Sequence, residues 1–174
     1  AMAALGSVQV AALGSAQLAA LDSEQLRALN GTQLRALTSA QLASLATEDL
    51  NALSSSQLQS LGSSQIAALT SQQIRAMESE DFAALTSAQL RGMETRDLAA
   101  LASADVAQFS SSQLAGLAST QLRALASDAI VGIGTDALGA LSGAQVAALT
   151  TAQVAGLSTE QLAEVEARVK AING

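Results

Sequence analysis

Twenty units of eight residues follow one another from Ala3 to Leu162 without insertion or deletion, from AALGSVQV and AALGSAQL through RALTSAQL to AGLSTEQL. No other feature restricts the fold as much. A unit this short buries almost nothing by itself and must stack on others. With the octad positions labelled a to h, c and h are large and apolar in every unit, from Leu5 and Val10 through Met77, Phe82 and Phe109 to Leu157 and Leu162. Position b is Ala, Gly or Ser except at Gln108, and position e is Ser or Thr except at Gly31 and Gly143. Position g is Gln in fourteen units, Asp in four (Asp49, Asp81, Asp97, Asp105) and Ala in two (Ala129, Ala137).

The columns translate into local structure. The apolar pair supplies a buried seam, and the small column lets backbones approach closely. Ser or Thr suits a helix N-cap, with Gln or Asp in the first turn facing unpaired amides. The pattern therefore predicts a short helix from f through the next c, broken at d and e. Where d is Thr, as at Thr38, the S/T-x-x-Q spacing of a capping box would place the cap at d. Position e is the more uniform column, and we read it as the cap.

Neither a continuous helix nor a β-solenoid fits. Eight residues overshoot two α-turns by about 80°, which would wind the apolar columns around the whole helix. In a strand, c and h would point to opposite faces, and Ala-rich segments form poor strands. The expected fold is all-α: a solenoid or superhelix of twenty very short helices, one per repeat, each contacting mainly its neighbours in the chain. Residues 163–174 (AEVEARVKAING) abandon the pattern. Leu162, Val165, Val169 and Ile172 there follow amphipathic spacing, which predicts a C-terminal capping helix stopped at Asn173-Gly174. Ala1-Met2 reads as a cloning remnant.

Composition bears on function. The net charge of −7 and the presence of only two aromatics, both Phe, argue against nucleic acid as a partner. No apolar run approaches the length of a membrane span. With no His and no Cys, the usual nucleophile–base pairs are missing. We therefore expect no catalytic, cofactor-binding or metal-binding residues, no cofactor, no small-molecule substrate and no enzyme activity. The densest acidic stretch, Glu78-Ser79-Glu80-Asp81 with Glu94 and Asp97, is read as solvated surface rather than a calcium site, which needs six or more converging oxygens. The Gln column is read as capping, and Arg27, Arg35, Arg75, Arg91 and Arg123 at position a as solvent-facing. The run from Val131 to Gly139 lacks the spacing and Lys of a phosphate loop and is read as a bend or looser packing.

The recurring A-L-[ST]-S-x-Q-[LIV] unit, as in RALTSAQL and AALTTAQV, resembles the tandem repeats of very large bacterial exported proteins of adhesin-like or haem-utilisation type. The resemblance spans Ala3 to Leu162. It implies an extracellular or cell-surface setting and a role as spacer or adhesive stalk of a larger protein, with a protein or surface partner of unknown identity. Haem binding does not carry over, since the chain has no His or Tyr to ligate iron. The alternative is a protein-binding scaffold that uses one face of the superhelix.

Overall fold

A computed structural model describes residues 4–173, so the proposed remnant Ala1-Met2 and the stop at Gly174 lie outside the described residues. Those residues contain nineteen α-helices and no strand. One helical segment falls in each octad. All-α architecture with one short helix per repeat is therefore the fold of this chain.

The chain divides into two compact units, residues 1–92 and 93–174. The first holds α1 (Ser7–Ala11), α2 (Ser15–Leu18), α3 (Ser23–Arg27), α4 (Gly31–Ala36), α5 (Ser39–Ala43), α6 (Thr47–Asn51), α7 (Ser55–Ser60), α8 (Ser63–Ala67), α9 (Ser71–Ala76), α10 (Ser79–Ala84) and α11 (Ser87–Gly92). Within it, α1 packs on α4, α4 on α7 and α7 on α10; likewise α2 on α5, α5 on α8 and α8 on α11. The second unit holds α12 (Thr95–Leu98), α13 (Ser103–Val106), α14 (Ser111–Gly116), α15 (Ser119–Ala124), a 3₁₀ turn (Ile130–Gly132), α16 (Thr135–Gly139), α17 (Gly143–Ala148), α18 (Thr151–Gly156) and α19 (Thr159–Asn173). Its packing keeps the same step. α12 meets α15, α13 meets the 3₁₀ turn, and α14 meets α16.

This corrects one expectation. The principal contacts are not with the next octad but with the third one on. Each unit is thus a solenoid whose turn takes between three and four octads. The reason is geometric: helices of four to six residues joined by links of two to four residues turn the chain gradually, and only the third neighbour comes back into register.

The apolar columns form the core as expected. Column h is buried wherever the array is stacked on both sides, including Phe82, and column c is buried from Leu29 through Leu141. The small column also does what its composition implies. A Cβ on Gly92 would sit 2.7 Å from the Ser63 carbonyl oxygen, and one on Gly132 would run into that of Ser103. Gly132 is therefore required by backbone contact. The looser packing expected around it is not seen: Ile130, Ile133 and Leu138 are buried, although the sixteenth octad, with Ala129 at the column-g position, forms a 3₁₀ turn instead of an α-helix. The terminal helix is longer than the pattern break suggests. It begins at Thr159, inside the last octad, and runs unbroken to Asn173, packing on α16 and α17.

Candidate functional site

A helix of five residues is nearly all ends. Its first amides and last carbonyls have no partner inside the helix, so most of its backbone must be satisfied from outside. How this chain does so is its most specific chemistry.

The N-terminal half is a capping box, placed one residue earlier than we read it. The residue with extended backbone before each helix is at position d, for example Asp22, Asn30, Thr38, Ser54 and Thr70. Ser or Thr at e is the first helical residue, so position e is not the cap. The g residue is then N3. Gln41 Oε1 accepts from the Thr38 backbone N–H at 2.7 Å, and the Gln41 N–H donates to Thr38 Oγ1 at 3.2 Å. Where d cannot cap, the Gln half remains: Gly6 N–H donates to Gln9 Oε1 at 2.7 Å and Ala118 N–H to Gln121 Oε1 at 2.9 Å. That is why d tolerates Gly and Ala.

The other half of the amide was not anticipated. Gln65 Nε2 donates to the carbonyl oxygens of Leu34 at 2.9 Å and Leu37 at 2.8 Å, which belong to the C-terminal end of α4, four helices back. Gln57 reaches Leu26 and Leu29 in the same way, Gln73 reaches Leu42 and Leu45, and Gln89 reaches Leu58 and Leu61. In the second unit Gln145 reaches Leu114 and Leu117, and Gln153 reaches Leu122 and Leu125. An amide carries an acceptor and a two-proton donor on one planar head. One side chain thus closes the start of its own helix and the end of another, always 28 to 31 residues earlier. These glutamines are buried from Gln33 onward.

Position a completes the accounting. Arg27 Nε donates to the Ala52 carbonyl at 2.7 Å, Arg35 Nε to that of Ser60 at 2.8 Å, and Asn51 Nδ2 to that of Ala76 at 2.6 Å. Arg27 and Arg35 are thus exposed but not merely solvent-facing; they tie octads three apart. Arg75 instead bonds its own helix at Ser71. A signal for the missed half was present in the sequence. A carboxylate would suit a helix N-terminus at least as well as an amide, yet column g contains no Glu in twenty units. Only an amide can also donate.

Asp at g breaks the ladder, since a carboxylate cannot donate to the carbonyls of the stack. Asp81 accepts from the Glu78 N–H at 3.2 Å, and its pKa is raised, chiefly by burial, with Glu78 and Glu80 adding repulsion. Asp49 instead accepts from Ser23 Oγ at 3.2 Å. The acidic stretch does not gather into a cation site: Arg96 lies 3.1 Å from Glu94 and 3.7 Å from Asp97, and no group of three acidic residues is arranged to hold a metal among the described residues. Among those residues, no helix is long and apolar enough to cross a membrane.

One short helix per octad, stacked on the third and bolted to the fourth by an amide, defines an α-helical repeat protein. The chain belongs to the ALTTAQ repeat family, whose pattern matches in six stretches, residues 1–30, 18–48, 42–77, 92–127, 115–151 and 130–166. No curated protein and no solved structure shows significant similarity to it.

Proposed function

We propose that this chain is a structural segment, a spacer or adhesive stalk within a larger exported bacterial protein, acting outside the cell or at its surface. The observation that carries this reading is the ladder of column-g glutamines. The amide capacity of the repeat is turned inward to lock helices together. Within each unit, turns joined by these glutamine hydrogen bonds are suited to holding length under load.

The scaffold reading has less to support it. Binding hot spots favour Trp, Tyr and Arg; this chain has no Trp or Tyr, and both of its Phe residues are core. Catalysis, a cofactor and a small-molecule substrate are not part of the proposal. Stretching single molecules between two handles tests the spacer. The proposal expects a force-resistant plateau followed by rupture and refolding. Extension along the curve of an unstructured chain of the same length would refute it.

A further inference from the structure

Two consecutive rungs of the ladder are missing inside the second unit. From residue 121 on, column g reads Gln121, Ala129, Ala137, Gln145, Gln153 and Gln161. The glutamines on either side of the gap are engaged: Gln121 Nε2 donates to the Met93 carbonyl at 2.9 Å, Gln145 to those of Leu114 and Leu117, and Gln161 to those of Val131 and Ile133. The same register assigns position 129 to the carbonyls of Leu98 and Leu101, at the end of α12, and position 137 to that of Val106, at the end of α13. A methyl group donates nothing. These two helices are also the shortest α-helices of the unit, with four residues each.

The seam between these layers is held by apolar contact. α13 packs on the 3₁₀ turn, and Val106, Ile130 and Leu138 are fully buried around it. Beyond it the chain is bolted again, since Gln161 ties the end of the 3₁₀ turn to α19 and Gln145 ties the end of α14 to α17. The place for the missing amide is still present at position 137. A Cβ built on Gly62 would stand 3.6 Å from Gln65 Oε1, whereas one on Gly134, the corresponding N-cap, would meet nothing within 4 Å. No side chain caps α16 there.

We propose that this seam is a yield point built into the fold: the second unit opens first between α12–α13 and residues 129–139, while its bolted turns stay closed. Local opening is easiest where the fewest interactions must be lost together. Two rungs missing in succession leave about half a turn of the solenoid without its side-chain hydrogen bonds, in a unit whose other turns keep theirs. On the stalk reading, from which its use under load follows, the seam is where a pulled segment lengthens first, so the array gives way locally and closes again from intact neighbours.

Native-state hydrogen exchange of the full 174-residue chain, read by mass spectrometry, tests this. Amides of residues 96–109 and 129–139 should exchange roughly tenfold or more faster than those of 111–125 and 143–156. Ala137→Gln supplies an acceptor for the Gly134 N–H and a donor for the Val106 carbonyl, and should slow exchange in 103–109 and 134–139 by roughly tenfold. Ala137→Met adds similar bulk without the hydrogen bonds, and Ala137→Glu caps Gly134 without donating; neither should slow 103–109. Even protection across the wild-type unit, no slowing by Gln, or equal slowing by Met or Glu would overturn the proposal. Should Ala137→Gln lose its helical spectrum, the wild-type contrast alone decides. Exchange is measured at rest, so it judges the seam even where pulling refutes the stalk.

Discussion

Replacing Gln65 by Glu separates the two roles of the column-g amide. Glu retains an oxygen for the Gly62 N–H, which Gln65 now accepts at 2.8 Å, and a carboxylate at N3 suits the helix dipole. What it loses is the donor. The Leu34 carbonyl keeps a bond from the Leu37 N–H, so it forfeits a second hydrogen bond, about 1 kcal/mol. The Leu37 carbonyl loses the side-chain donor that closes it, about 1–3 kcal/mol. Residue 65 is only 7% exposed, and a carboxylate facing carbonyl oxygens there adds about 1–2 kcal/mol more. The expected total is about 3–6 kcal/mol, a large share of the stability of an ordinary domain. Gln9→Glu makes the same chemical change where the Nε2 group is exposed and should cost within about 0.5 kcal/mol. Urea denaturation followed by circular dichroism reads both. Burial raises the folded-state pKa of the new carboxyl, so the stability it contributes when protonated is present in acid, below the unfolded value of about 4.3, and is lost as pH rises through the folded value. The Gln65→Glu defect should therefore shrink in acid. Equal losses at positions 65 and 9 would refute the ladder as a source of stability.

Three further substitutions probe other parts of the account. Thr150→Ala removes the hydroxyl that accepts from the Gln153 N–H at 3.2 Å and should cost about 1 kcal/mol, while Thr151→Ala, at the first helical position, should fall within about 0.5 kcal/mol; thermal melts decide. Gly132→Ala should lower the melting temperature markedly, because its Cβ would clash with the Ser103 carbonyl oxygen; an unchanged melt would contradict the backbone contact. Asp81→Asn keeps an acceptor for the Glu78 N–H and removes a charge whose pKa burial raises. The protonated form of Asp81 is favoured by folding, so its contribution is present below the unfolded value of 3.8 and lost as pH rises through the folded value. The variant should be more stable than wild type at neutral pH and should lose part of the pH dependence, measured by denaturation from pH 3 to 7.

Much of this fold was legible because an octad leaves few choices. Columns c and h, such as Leu69 and Phe82, gave the core, and the small column gave the close approaches at Gly92 and Gly132. The cap was misplaced because uniformity was taken for function. Position e is uniform, yet the capping is done from g, so residue d is free to be Gly62 or Ala118 without loss of the N-terminal bond. The stacking step was not legible at all. It depends on how far each turn bends the chain, which no column encodes, and the partner of Gln65 lies 31 residues away at Leu34. Arg27 and Asn51 were hidden for the same reason: their carbonyl partners sit 25 residues ahead.

The central claim is that each octad packs against the third one along rather than against its immediate neighbour. A chain without cysteine allows a direct measurement. A Cβ built on Gly31 lies 3.0 Å from the Ser60 Cβ, a few tenths of an ångström inside the usual disulfide span. In Gly31→Cys/Ser60→Cys, mild oxidation should close an intramolecular disulfide in nearly every molecule, read as a loss of two hydrogens by intact mass under non-reducing conditions. In Gly31→Cys/Ser39→Cys, which joins adjacent octads, the same treatment should leave both thiols free. Ready closure of the adjacent pair with failure of the pair 29 residues apart would contradict the account.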